Sequence, residues 1–120
     1  MLVLISNKFK KITFLLLTLI SSNQTVKATE LSLEERYKAA ELVESTNISA
    51  AFPLYQELAN IGFTEAKIRL AALLSAGLGG NTSIEEKLQL SMKLLHEAAD
   101  EGSIKAYYGL SVMYHDGTSI

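Results

Sequence analysis

The sequence predicts an all-α fold, a helical-hairpin (α/α) solenoid of about two repeats preceded by a leading helix. An internal period carries this prediction, since Gly62 and Leu70 recur 40 residues later as Gly102 and Leu110. Apolar residues also recur at helical spacing, and no segment shows the strict alternation of a half-buried strand. A fixed period of this size is typical of stacked repeats, in which each unit contacts only its neighbours.

The first 28 residues predict a secretory signal peptide. A basic stretch ends at Lys11, an uncharged and mostly apolar run covers 12–20, and a polar segment leads to the small residue Ala28. This order of segments is typical of a signal that is cleaved on export. The apolar run is shorter than the roughly 20 residues that a membrane-spanning helix needs. An uncleaved anchor, a misread start and a buried helix are the alternatives.

The net charge and the absence of cysteine limit the kinds of partner and site that we expect. The net charge is −2, and residues 1–28 hold four lysines and no acid, so the remainder carries −6. This acidity argues against nucleic acid as a partner and, after cleavage, against an anionic membrane surface. The chain has no cysteine, which excludes disulfides and thiolate metal ligands. We expect an exported protein, periplasmic or secreted, or one of the endoplasmic reticulum or extracellular space in a eukaryote.

The leading segment, residues 29–47, predicts one helix over 33–43. Ser32 and Glu35 form a capping box, in which each side chain reaches a backbone amide at the start of the helix. Residues at helical spacing then predict one inward face: Leu33, Tyr37, Ala40 and Val43.

The first repeat, about 48–82, predicts helices over 50–60 and 64–76. Pro53 falls in or near the first turn, where its missing N–H has no helical partner to lose. Gly62 suits the left-handed conformation that closes a helix. Residues 77–80 predict a flexible connector, because they lack the lysine and the preceding strand of a phosphate loop. The predicted inward residues are Ala51, Leu54, Tyr55, Leu58, Ala59, Ala66, Leu70, Leu73 and Leu74.

The second repeat, about 83–120, predicts helices over 84–100 and 104–115. Ser83 and Glu86 form a second capping box, and glycines again follow both helices. The predicted inward residues are Leu88, Ser91, Leu94, Leu95, Ala98, Ala99, Ala106, Leu110, Met113 and Tyr114.

The end of the sequence predicts an uncapped last hairpin. The chain stops at Ile120 inside a turn, so we expect Tyr107, Tyr108 and Val112 to be exposed. Solenoid repeats usually need about three units and polar caps. Three interpretations stay open: a homodimer through the uncapped C-terminal hairpin, a truncated relative of a longer array, or a marginally stable domain.

Two segments of the second repeat carry a family resemblance. Residues 95–106 read Leu-His-Glu-Ala-Ala-Asp-Glu-Gly-Ser-Ile-Lys-Ala, and residues 110–117 read Leu-Ser-Val-Met-Tyr-His-Asp-Gly. They resemble the Sel-one-like repeat, an α/α solenoid unit related to tetratricopeptide repeats. Ser111 stands where the family usually has glycine. The first copy is weaker, with Ala71 and Leu74 at the glycine and tyrosine positions. The period of 40 differs from the tetratricopeptide period of about 34.

The resemblance implies a non-catalytic adaptor or scaffold that holds an unidentified protein partner, without a cofactor. Many bacterial members of the family are exported, and one eukaryotic branch works in protein quality control in the endoplasmic reticulum. Some secreted relatives are linked to hydrolysis of antibiotics or cell-wall material, so a secreted hydrolase of the β-lactamase-like repeat type is the alternative. A truncated, non-functional remnant is the third interpretation.

A candidate binding surface follows from the period. Gln56 and Asn60 align with His96 and Asp100, and stacked repeats would set these four residues along one groove. We call them the polar stripe. An ordinary solvated face is the alternative interpretation. His96 and Asp100 lie one helical turn apart, but two ligands are too few for a metal site, so we predict none.

Overall fold

The computed structural model describes residues 30–117, and these residues form five α-helices and no strand. The predicted signal peptide and the last three residues of the predicted second repeat lie outside the described residues. The all-α helical-hairpin fold is confirmed, and no helix among residues 30–117 is long and apolar enough to cross a membrane. The helices are α1 (Leu33–Thr46), α2 (Ile48–Ile61), α3 (Thr64–Ser75), α4 (Ile84–Asp100) and α5 (Ile104–His115).

Each helix packs against the next helix along the chain, and α3 makes its most extensive contact with α4. The α3–α4 contact joins the two predicted hairpins, α2–α3 and α4–α5. One continuous core runs through the stack, as expected when each unit covers the apolar face of its neighbour. Its fully or nearly fully buried residues include Ala40, Ala51, Tyr55, Leu58, Ala66, Leu70, Ala71, Leu74, Leu95, Ala98, Ala99, Ala106 and Met113.

Two ion pairs show that the stacking repeats. Glu57 of α2 accepts from Arg36 of α1 at 2.7 Å. Glu97 of α4, 40 residues later, lies 3.5 Å from Lys67 of α3. In both cases a glutamate near the end of one helix meets a cation near the start of the preceding antiparallel helix. The leading helix α1 therefore packs on α2 at the equivalent position to that of α3 on α4.

Helix α2 begins two residues earlier than predicted. Asn47 has an extended backbone, and its side-chain oxygen accepts from the amide of Ala50 at 3.1 Å. This cap satisfies one of the free amides that every helix start carries. The earlier start puts Pro53 in the second turn, beyond the free amides of the helix start, so the expectation that its missing N–H has no helical partner to lose is wrong. Gly62 closes the helix with φ +104°, as predicted.

Three residues predicted to face inward are exposed. Leu33, at the end of the α1–α2 pair away from Asn47, is 36% exposed. Leu54 is 37% exposed, whereas Leu94, at the equivalent position of α4, is 8% exposed. Tyr114 is 54% exposed. Its equivalent Leu74 is buried beneath α4 and the α3–α4 loop, and no described helix covers Tyr114 in that way.

The glycine-rich loop between α3 and α4 packs partly against the core: Leu78 and Gly79 are half-buried, whereas Gly77 and Gly80 are exposed. A Cβ atom on Gly79 would lie 2.9 Å from Leu74 and 3.0 Å from Phe52. The ammonium of Lys87, a residue only 6% exposed, donates to the carbonyls of Gly77 and Gly80 at 2.9 Å each. Because carbonyl oxygens replace the lost water around the charge, the lysine ties the loop to α4.

The Lys87 contacts predict a measurable contribution to stability. Lys87→Met keeps the buried aliphatic stem but removes both charge-assisted hydrogen bonds, so we expect the free energy of unfolding to fall by about 2–3 kcal/mol in urea titrations. Amides of residues 77–80 should exchange faster. Lys93→Met, an exposed lysine of the same helix, is the control and should change stability little. Equal effects of the two substitutions would contradict this role for Lys87.

Candidate functional site

All four residues of the polar stripe are exposed. Gln56 and Asn60 lie one turn apart on α2, and His96 and Asp100 lie one turn apart on α4. His96 Nε2 lies 3.3 Å from the hydroxyl of Tyr114 on α5, which restrains the imidazole against the second helix of its own hairpin. The stripe offers amide, imidazole and carboxylate groups that can donate and accept hydrogen bonds. Among the described residues, no group of three His, Asp or Glu side chains could hold a metal ion.

Two cavities lie between helices that are not consecutive in the chain. One lies between α1 and α3, and the other lies between α3 and α5. Neither cavity was predicted. The second, of about 240 Å³, lies over α4 and has an almost entirely apolar lining that includes Ile68, Ala72, Leu95, Tyr108 and Val112. The first, of about 450 Å³, has a polar lining of Tyr37, Glu41, Glu44, Ser45, Ile48 and Arg69.

A carboxylate organises the polar cavity. Glu44, only 13% exposed at its side chain, accepts from the Tyr55 hydroxyl at 2.5 Å and from Arg69 Nε at 2.9 Å. A second Arg69 nitrogen bonds the other carboxylate oxygen. Because the Arg69 guanidinium donates to it, the pKa of Glu44 is lowered. Burial, together with the bond to Glu44, raises the pKa of Tyr55. Glu44 of α1 is thereby hydrogen-bonded to both α2 and α3.

The phenol of Tyr37 lines the same cavity. Burial, with smaller contributions from nearby carboxylates, raises the pKa of Tyr37 to about 12. Its ring lies 5.6 Å from the Tyr55 ring and 5.5 Å from the Phe63 ring, at the tilted angles that aromatic pairs prefer. A phenol with this pKa stays protonated at neutral pH. Tyr37 can therefore donate and accept hydrogen bonds in the cavity as a neutral phenol.

A second charged cluster joins the two hairpins. Lys67 of α3 is 9% exposed and donates to Glu101 at the end of α4, which also accepts from Thr64. The Lys67 ammonium lowers the pKa of Glu101, and the Glu101 carboxylate raises the pKa of Lys67. Lys105 of α5 lies 3.3 Å from Glu65 of α3 and adds an exposed pair. These contacts hold the hairpins in register and make this cluster structural.

Sequence reasoning missed the buried charges, although their spacing carried a signal. Lys87 comes four residues before Ser91, on the inward face of α4. Lys67 comes three residues before Leu70, and Glu44 follows Ala40 by four. When a charged residue occupies an inward-facing position of a helix, there are two explanations. Either the apolar face ends there, or the charge is buried and paired with other polar groups.

Comparison of the chain with protein-family models, curated proteins and solved structures gives no match. The resemblance to Sel-one-like repeats therefore stays a hypothesis based on the quoted residues.

The Glu44 contacts predict a pH-dependent contribution to stability. Because folding lowers the Glu44 pKa from 4.5, its stabilisation is present above that value and is lost as the pH falls through the lower folded pKa. We expect Glu44→Gln to reduce the free energy of unfolding by about 1 kcal/mol at pH 7, given that Arg69 is partly exposed. The deficit should shrink in urea titrations below pH 4.5. Glu41→Gln, at an exposed carboxylate of the same helix, is the control, and a deficit independent of pH would contradict the assignment.

Proposed function

We propose that this chain is an exported, non-catalytic adaptor of the Sel-one-like repeat type, which binds a partner protein through the polar stripe. The repeated stacking carries the proposal: Glu57 and Glu97 meet the preceding helix in the same way. Gln56 and His96 directly precede these two glutamates. Equivalent exposed side chains on successive hairpins are how stacked repeats build an extended binding surface.

The chemistry of the polar stripe fits a peptide or protein surface. Amide and imidazole groups suit the hydrogen-bonding groups of another polypeptide, and the carboxylate of Asp100 suits a cation. Outside residues 1–28 the chain carries a net charge of −6. A partner with a basic face therefore fits best, because complementary charge speeds association and excludes acidic competitors.

Substitution of the stripe tests the binding role. His96→Ala with Asp100→Ala should abolish enrichment of the partner that the unchanged chain captures in quantitative pull-downs, while circular dichroism stays helical because both residues are exposed. Glu34→Ala with Lys38→Ala, an exposed pair one turn apart on α1, is the matched control and should keep the partner. Capture that is equal for all three proteins would show that the stripe is not the binding surface.

The non-catalytic part of the proposal is tested with the same proteins. We expect the purified chain to leave a chromogenic β-lactam unchanged above the buffer rate. Hydrolysis that disappears on changing one serine would support the hydrolase alternative.

Export is tested by the mass of the protein after expression in a secreting host. We expect a mature N-terminus at or near residue 29, because the small residue Ala28 ends the polar segment. Leu15→Arg with Leu16→Arg breaks the apolar run and should leave the uncleaved chain inside the cell. Full-length wild-type chain in the membrane fraction would indicate an anchor instead.

A further inference from the structure

Helix α5 exposes an apolar face that spans nearly half its circumference. We call it the α5 face. Ile104 is 84% exposed, Tyr107 59%, Tyr108 73%, Val112 40% and Tyr114 54%. At 3.6 residues per turn these five residues fall on one side of the helix, with the exposed Ser111 and His115 between them, opposite the buried Ala106, Leu110 and Met113. Exposed apolar residues scattered singly need no explanation, but a contiguous set of this kind marks an interaction surface.

Part of the equivalent face of α3 is covered in the same chain, although Ala72, which corresponds to Val112, is exposed. Lys67 and Leu74 of α3 are 9% and 3% exposed, because α4 packs on them. The α5 face carries Tyr107 and Tyr114 at these positions, and Ile104 replaces Thr64. At these three positions, therefore, the side chains of α5 are more apolar and more aromatic than those of α3. Tyrosine is enriched at protein interfaces, so this composition favours contact with another polypeptide.

We infer that the α5 face binds a second copy of this chain, with the two α5 helices antiparallel about a two-fold axis. This inference stands independently of the proposed binding role of the polar stripe. A two-fold contact needs a surface that is complementary to itself. The α5 face meets that need because its charges lie at opposite ends: Lys105 in the first turn and Asp116 just beyond the last.

Antiparallel packing brings opposite charges together. The helix is about 18 Å long, so Lys105 of one copy lies beside Asp116 of the other, and like charges stay about that length apart. The opposed helix dipoles add to this preference. The Lys105 side chain is 74% exposed and has donors beyond its contact with Glu65, so both contacts can form.

The area of the α5 face suits a small dimer. At roughly 200 Å² for each whole aromatic side chain, the exposed parts of the three tyrosines amount to roughly 370 Å² per copy. Ile104 and Val112 extend the patch. Two copies together would bury at most roughly 1,000 Å², which is below the roughly 1,200–2,000 Å² of stable interfaces and in the range of weak ones. We therefore expect a dimer that dissociates on dilution.

Light scattering of the full chain over a concentration series tests the dimer. We expect the mass to rise towards that of two chains, and Tyr107→Glu with Tyr108→Glu to shift it to one chain at every concentration. Leu42→Glu, at a residue of α1 that is 73% exposed, is the matched control and should keep the dimer. Because the three residues are exposed, the helical melts of all proteins should agree at low concentration, where the dimer has dissociated.

Cross-linking gives a second readout. The chain has no cysteine, so Ser111→Cys places a single thiol on the α5 face. Mild oxidation should yield a covalent dimer with Ser111→Cys and none with Ala39→Cys, an exposed site on α1. Adding the two glutamate substitutions should abolish the covalent dimer. A single-chain mass throughout, a dimer that survives those substitutions, or a monomer whose α5 face instead binds an amphipathic helical peptide would overturn the inference.

Discussion

The buried ammonium of Lys67 is the constraint on which the stacking of the two hairpins depends. Helix α3 lies between α2 and α4, so most of its circumference is removed from water. A charge at that position is costly unless it is paired, and the required carboxylates come from Glu97 and Glu101 on α4. In the observed register of α4 on α3, both carboxylates reach the Lys67 ammonium. The position of α4 in turn sets the position of α5 and of every surface on the second hairpin.

The α1–α2 and α3–α4 contacts are equivalent in the stack, but they use different side-chain interactions. The Arg36–Glu57 pair is exposed, with side chains 31% and 63% accessible, so it adds little stability. The difference extends to the two cavities. Arg69 fills the polar cavity and bonds Glu44, whereas the equivalent residue is Gly109, whose missing side chain lets α5 approach Leu95. A Cβ atom there would lie 3.2 Å from that leucine, so a larger residue at this position would have to displace the Leu95 side chain.

The two proposed surfaces lie on different helices. The polar stripe belongs to α2 and α4, the first helices of the hairpins, and the α5 face belongs to the last helix. A dimer built through α5 would bring the second copy next to His96, because the Tyr114 hydroxyl lies 3.3 Å from its imidazole, whereas Gln56 and Asn60 of the stripe belong to α2. Such an arrangement presents two binding surfaces in one assembly, and linked sites bind a multivalent partner more tightly than either site does alone.

Most of the local architecture could be predicted from the residues, because its causes act over short distances. Every predicted helix is present with its ends within three residues, since Ser83 and Gly62 act on the turns where they stand. The burial of charge could not be predicted in this way. Lys67 and Glu101 lie 34 residues apart, and only their packing removes water from the ammonium. Leu54 and Leu94 likewise occupy equivalent positions yet differ in exposure, because desolvation is set by the neighbouring helix and not by the residue.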